Sequence, residues 1–210
     1  MNIKLLLFTF ILSFLVSCAG LKLKPLTCEE YYREIVVQDN KIPSNFQFKG
    51  RLIYNNLNLY IKGIFKNEDN GKIKVYLPFG LFAGEIILKD GEYCFKLNKT
   101  EGCVKNIFNL KALFDIDIPL QNIISGKFNL KGKEHFHCEG KTLFIEKDSY
   151  TIVYDFINIR DRKRFLPKKV LYHSYTVNYL YNVDNKEKVI EIFYNNELVV
   201  KIEVNSIDKL

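Results

Sequence analysis

No stretch of this sequence stays apolar for the roughly 20 residues that a membrane-spanning helix needs. The longest apolar run, Leu5 to Val16, is twelve residues broken only by Thr9 and Ser13. No serine sits in a Gly-x-Ser-x-Gly turn, so a hydrolase elbow is absent. No glycine-rich phosphate loop and no paired-carboxylate motif occurs, and the expectation is a protein that is not an enzyme and carries no cofactor. Aromatic and basic residues are not interleaved as a nucleic-acid surface needs, so no nucleic-acid partner is expected. His135, His137 and Glu139 alternate and would share a strand face, but Cys138 points the other way and supplies no further ligand. No metal is expected. Repeats, low-complexity segments and linkers are missing too, which leaves one domain acting as a monomer. Trp is absent altogether.

In place of Trp there are 13 Tyr and 17 Phe. With many Ile and Val, that load favours sheet. A hydrophobic content of 48% rules out a disordered chain. The formal net charge is +7, which describes a solvated, lysine-rich surface that also favours anionic lipid. Arg160, Arg162, Lys163, Arg164, Lys168 and Lys169 form the densest charge run. It reads as a solvated loop, with lipid headgroups or an acidic partner as the functional alternative.

The N-terminus has the anatomy of a processed leader. Lys4 is a short basic region, the apolar run follows, and Leu15-Val16-Ser17-Cys18-Ala19-Gly20 ends it. This is similar to a bacterial lipobox, in which a thiol preceded by small residues takes the lipid and becomes the first mature residue. The expectation is a signal peptide over 1–17, diacylated Cys18, a tether over 18–27 and a domain over 28–210. Ala19 stands where, by resemblance to known lipoproteins, an Asp holds such proteins in the inner membrane. The expected location is therefore the periplasmic face of the outer membrane. A tether of about nine residues reaches roughly 30 Å at most, so the domain stays near the bilayer.

Thr27 can cap a helix starting near Cys28, with Glu29 and Glu30 in its first turn and Asp39-Asn40 and Pro43 as its stop. Strands follow. Phe46, Phe48, Gly50, Leu52 and Tyr54 share one face; so do Leu57, Leu59, Ile61, Gly63 and Phe65; so do Ile73, Val75 and Leu77. Tyr93, Phe95 and Leu97 alternate on another strand. Between Gly102 and Gly126 the period changes. Val104, Ile107, Phe108 and Lys111-Ala112 suggest a short helix, and Pro119 opens another with Leu120, Ile123 and Ile124 at helical spacing and Gly126 as terminator. Strands resume to the C-terminus. The sum is an α+β fold: an antiparallel sheet of about ten or eleven strands with helices at the start and in the middle. So large a sheet curls. Its concave face is filled by helices or left as an apolar cavity, and Phe46, Phe48, Leu59, Ile61, Val75, Leu77, Phe95, Ile123 and Ile124 are its candidate lining.

The turn after Leu77 breaks the rule that loops are polar. Pro78, Gly80, Ala83 and Gly84 supply turn chemistry, but Phe79, Leu81 and Phe82 are large and apolar. They fold back onto the core or meet something greasy.

Tyr76-Leu77-Pro78-Phe79-Gly80, a strand, Asp90-Gly91, a strand, the segment from Val104 to Leu113, then Ile118-Pro119-Leu120 leading to Ile124-Ser125-Gly126, resembles the LolB family of outer-membrane lipoprotein receptors, relatives of the soluble carrier LolA. Tyr154 and Leu166-Pro167-Lys168-Lys169-Val170 are similar to that family's later strands. The resemblance implies an incomplete barrel with helices as a lid, a cavity for acyl chains, and a projecting loop whose apolar tip, at Pro78-Phe79-Gly80, drives lipoproteins into the bilayer. Its implied partners are lipoprotein acyl chains, a LolA-like periplasmic carrier and outer-membrane phospholipid. The alternative is a structural or assembly lipoprotein that uses the same fold to hold a protein partner.

Four cysteines remain besides Cys18, and in an oxidising periplasm they allow three connectivities. Cys94 lies on a strand and Cys103 just past its turn, which favours Cys94–Cys103 and leaves Cys28–Cys138 by elimination. Free buried thiols are the alternative.

Overall fold

A computed structural model describes residues 26–67, 70–89, 92–97, 100–105, 118–159, 162–182 and 187–210. Cys18, the expected signal peptide and most of the tether lie outside the described residues, as does most of the helix expected around Ile107 to Ala112. Glu68 and Asp69 of the turn ending in Asn70-Gly71, and the whole Asp184-Asn185-Lys186 turn, lie outside the described residues.

The first element among the described residues is helix α1, Cys28–Lys41. Thr27 caps it: its hydroxyl accepts from the Glu30 N–H at 3.3 Å while the Glu30 carboxylate accepts from the Thr27 N–H at 2.7 Å. This reciprocal pair satisfies two of the otherwise unpaired N–H groups at a helix start. Six strands follow: β1 Phe46–Tyr54, β2 Leu57–Asn67, β3 Asn70–Tyr76, β4 Phe82–Lys89, β5 Glu92–Leu97 and β6 Thr100–Lys105. After the short helix α2, Leu120–Ser125, come seven more: β7 His135–Glu139, β8 Thr142–Lys147, β9 Tyr150–Ile159, β10 Arg162–Tyr172, β11 Tyr175–Asn182, β12 Glu187–Tyr194 and β13 Glu197–Lys209.

The described residues thus form thirteen strands, more than the ten or eleven expected. The excess comes from short pieces, since Thr100–Lys105 is β6 where a helix starting at Val104 was expected and His135–Glu139 is a strand of its own. All thirteen make one antiparallel sheet in the order β6-β5-β4-β3-β2-β1-β13-β12-β11-β10-β9-β8-β7. Two meanders are therefore joined along one seam. β1 and β13 pair from Phe46↔Lys209 to Ile53↔Lys201, with a bulge at Lys49/Gly50. Gly50 is required there: a Cβ would sit 2.2 Å from the Glu203 carbonyl oxygen. β6 and β7 are the two edges.

One face of the sheet is buried. Phe46, Phe48, Gly50, Ile61, Gly63 and Phe65 alternate with exposed neighbours along β1 and β2, as period-two strands with one covered face must. Phe46, Phe48 and Phe65 pack as a triad with centroids 5.3–6.3 Å apart. Side chains from β1, β2, β3, β4, β12 and β13 all reach the same space beside α2, so the sheet curls around that helix. α2 is buried on every side, through Leu120, Gln121, Asn122, Ile123 and Ile124. Pro119 stands at its N-cap, one position earlier than a helix-opening proline, and Gly126 ends it in the left-handed conformation at φ 78°.

α1 covers the other meander. It touches β7, β8 and β10, and it is held by covalent and polar links. Cys28 is disulfide-bonded to Cys138 on β7, with Cα atoms 5.8 Å apart. Tyr32 stacks on Phe136 at 4.1 Å and donates to Glu134 at 2.6 Å. The buried Asp39 carboxylate accepts from the N–H groups of Phe128 at 2.6 Å and Leu130 at 2.9 Å. Burial raises the Asp39 pKa, partly opposed by those two N–H groups.

Candidate functional site: a tip, a cavity and a chamber

The tip lies between β3 and β4. Leu77 N–H donates to the Leu81 carbonyl at 2.8 Å and Gly80 N–H to Leu77 at 3.2 Å, closing a tight loop around a single 3-10 turn, Pro78–Gly80. Phe79 is fully exposed, at 100%, and Leu81 and Phe82 are 63% and 51% exposed. Phe79 also has φ 69°, ψ 13°, a left-handed conformation that side chains with a Cβ rarely take. Both facts run against stability, since an exposed ring gains nothing from burial and a strained backbone costs about 1–3 kcal/mol. Phe82 belongs to β4 rather than to the turn; it pairs with Tyr76, and their rings meet edge to face at 5.9 Å. Leu77, expected in the cavity, is exposed at 39%. The alternation that put it on the inner face stops at a register break after Val75, so Leu77 joins the tip.

The cavity encloses about 350 Å³. Phe48, Leu59, Ile61 and Val75 line it from the first meander, with Ile124 of α2 at its floor. Phe46 and Ile123 are fully buried in the core beside it but do not line it. Phe95 is half-buried and does not reach it, because its ring lies over Gly102 on β6, 2.7 Å from where a Cβ would be. Leu52, Ile73 and Ile86 line it as well, and so do Ile192, Val200 and Ile202 across the seam. These belong to the same alternating rows; the pairing of β1 with β13, invisible in a linear pattern, brings the two sets to one space. Tyr54 and Leu57 flank the β1–β2 turn at Asn55-Asn56 and stand at the mouth, 43% and 48% exposed. In an antiparallel meander the β1–β2 and β3–β4 turns fall at the same end. The mouth and the apolar tip therefore share that end.

The chamber, about 830 Å³, lies beyond the C-terminus of α2. Ile35, Asp39 and Lys41 of α1 border it, with Gly126, Tyr154 of β9, Pro167 of β10, Tyr181 of β11 and Lys188 of β12. Lys188 escaped the sequence reading, although it lies in phase with the buried Ile190 and Ile192 and breaks an inward apolar row. Its ammonium donates to the Ile124 carbonyl and lies 5.9 Å from the Tyr179 ring centre. Burial pulls its pKa down to about 7. Tyr181 donates to the Pro167 carbonyl at 2.8 Å.

The remaining candidates are dispersed. Cys94 is disulfide-bonded, and the β5–β6 ladder sets it opposite Cys103, whose side chain lies outside the described residues. His135 and His137 are exposed on β7, and His137 stacks on Phe144 at 4.8 Å. Among the described residues no cluster of His, Cys, Asp or Glu is gathered around a point where a metal would sit. Of the basic run, Lys168 pairs with Asp155 at 2.6 Å; Arg160 is outside the described residues, as are the side chains of Arg162, Lys163 and Arg164.

An open antiparallel sheet curled around a short helix, with an apolar hollow, is a known arrangement. The crystal structure of a LolA superfamily protein from Nitrosomonas europaea superposes with a TM-score of 0.52 over 85% of this chain and 93% of that one, at 13% sequence identity. The fold is LolA-like. No protein-family model matches the sequence, and no curated protein does.

Proposed function

We propose that this chain is a lipid-anchored, periplasmic acyl-binding protein of the LolB kind, which accepts lipoproteins and inserts them into the outer membrane. The observation that carries the reading is a hollow apolar cavity whose mouth lies at the same end as a fully exposed, conformationally strained apolar tip. A cavity lined by branched and aromatic side chains recognises acyl chains without direction, at about 0.8 kcal/mol for each methylene buried. Burying about eight methylenes supplies roughly 6 kcal/mol, equivalent to a dissociation constant in the tens of micromolar before ordering costs. That suits a carrier, which must release as well as bind. The tip supports the membrane step: each large apolar side chain moved into lipid contributes about 1.5–3 kcal/mol, enough to perturb a bilayer near a tethered domain. Diacylated Cys18 would provide the tether and a LolA-like carrier the cargo. The hollow favours this reading over a scaffold for a protein partner, which needs no interior space.

The test is transfer of a fluorescent triacylated peptide from the full chain to liposomes. With Phe79, Leu81 and Phe82 all replaced by Glu, folding and peptide binding are expected to persist while transfer falls at least tenfold. Transfer at the wild-type rate by a folded triple variant sinks the insertion step; absence of acyl-peptide binding in the wild type sinks the carrier assignment.

A further inference from the structure

Two side chains that face the chamber are left without the partners their chemistry demands. Lys188 is 8% exposed and Tyr154 3%. Among the described residues no carboxylate pairs with the Lys188 ammonium, and its hydrogen bond to Ile124 uses one of three donors. Asp39 borders the same space but is not the missing counter-ion: its two oxygens are occupied by the Phe128 and Leu130 N–H groups. The Tyr154 hydroxyl has no hydrogen-bond partner among the described residues. A cation at the C-terminus of α2 complements the helix dipole, which accounts for Lys188 pointing inward. It accounts neither for the two spare donors nor for the Tyr154 hydroxyl. A buried unpaired charge and a buried unpaired hydroxyl are each unfavourable, and one ligand group, an oxygen-rich anion, would satisfy both. Lys41 at the chamber border offsets the Asp39 carboxylate there, which leaves Lys188 as the cation that faces the space.

We propose that the chamber is an oxyanion site, which takes a carboxylate or phosphate between the Lys188 ammonium and the Tyr154 hydroxyl. Ile35, Ile42, Pro43, Leu166 and Pro167 form an apolar part of the wall, beside the polar Gln38, Ser125 and Tyr181, and that mixed lining suits an anion carried at the head of an amphiphile. This site is separate from the acyl cavity: α2 lies between them, with Ile124 facing the cavity and Ser125 and Gly126 the chamber. The inference does not rest on the carrier reading.

Calorimetric titration of the full chain with dodecyl phosphate, dodecanoate, neutral monododecanoyl glycerol and inorganic phosphate tests it. The charged amphiphiles are expected to bind at least tenfold more tightly than the neutral one. Lys188→Met should erase that difference, and Tyr154→Phe should weaken the charged ligands three- to tenfold. Tyr154→Phe removes an unpaired hydroxyl, so its melting temperature should hold or rise; Lys188→Met also gives up the hydrogen bond to Ile124, so its fold is checked by circular dichroism before binding is compared. In the unmutated protein, the Lys188 side-chain NMR titration midpoint should move up from about 7 when dodecyl phosphate saturates the site. Competition by inorganic phosphate identifies a free anion as sufficient; its failure to compete assigns the site to a lipid-borne one. Equal binding of charged and neutral amphiphiles overturns the proposal, as does a Lys188→Met affinity within twofold of wild type or an unmoved Lys188 midpoint.

Discussion

Between β1 and β4 the inward face carries Phe48, Ile61, Ile73 and Val75; between β9 and β12 it carries Tyr154, Tyr179, Lys188 and Ile190. The first set encloses a hollow and leaves no polar atom wanting. In the second, Tyr154 and Lys188 line a larger space, and the Tyr154 and Tyr179 hydroxyls are unpaired among the described residues. The helices divide the same way. α1 is fastened to the second meander by a disulfide, a buried carboxylate and a stacked tyrosine, whereas the first meander ends in a bare apolar tip. An apolar hollow costs only lost contacts, so it tolerates being empty or full. A polar one holds specific demands, and the scaffold around it is tied by the Cys28–Cys138 bond and the Asp39 hydrogen bonds.

That contrast breaks most readily at the fastening. Replacing Cys28 and Cys138 by Ala should destabilise the protein by about 2–5 kcal/mol, because the bond closes a loop of sequence separation 110. Chemical denaturation measures it, and a loss below 1 kcal/mol would show that α1 does not depend on the staple. Asp39→Ala should cost about 2–4 kcal/mol by leaving the Phe128 and Leu130 N–H groups unpaired in the interior. On the other meander, Val75→Phe grows into empty space, so stability should stay within about 1 kcal/mol while acyl-peptide affinity falls more than tenfold. An unchanged affinity would remove the cavity from the mechanism.

Two smaller effects sharpen the comparison. Phe79→Gly relieves a left-handed backbone and removes an exposed ring, so stability should rise by about 0.5–1 kcal/mol as liposome transfer declines. The pH dependence reads the second meander alone, without any ligand. Lys188 is depressed by burial to about 7 in the folded protein against an ordinary value of 10.5, so the unfolded chain binds the extra proton in between. Stability should therefore increase as pH rises from about 7 to 10, and Lys188→Met should flatten that rise. Glu134 acts at the acid end. Burial alone would raise its pKa, but the Lys131 N–H and the Tyr32 hydroxyl among its donors hold it down to about 2. The stability it contributes is complete above pH 4.5 and is lost as pH falls toward 2. Glu134→Gln should diminish that loss.

What the sequence made legible follows from range. The Thr27 cap, the α2 spacing with Gly126 and the alternating rows of β1 to β3 are written within a few residues, and each appears where the pattern put it. The exposed aromatic at Phe79 was legible because it violates a local rule. Leu77 was misplaced because alternation cannot announce where a ladder breaks. The seam-side half of the cavity, Ile192 and Val200 to Ile202, was hidden because it depends on which strands become neighbours. Lys188 was overlooked, and Tyr154 was noted only for its likeness to the LolB family's later strands, for a related reason: in a list of strands each is an ordinary residue, and only α2 and α1 folded across them make the pair conspicuous.

The seam has a consequence for how the chain is made. The inner meander ladders form between neighbours in sequence, but β1 must wait for β13, about 150 residues later, before its second edge is covered. Each hairpin stack can assemble as it emerges, yet the two halves cannot be joined, nor the hollow between them walled, until the last strand arrives. A chain cut short before Glu197 would keep both meanders and present β1 as an open template to any passing strand. The arrival of β13 is thus itself the final folding signal, and sheet closure along the middle is slow relative to the hairpins that precede it.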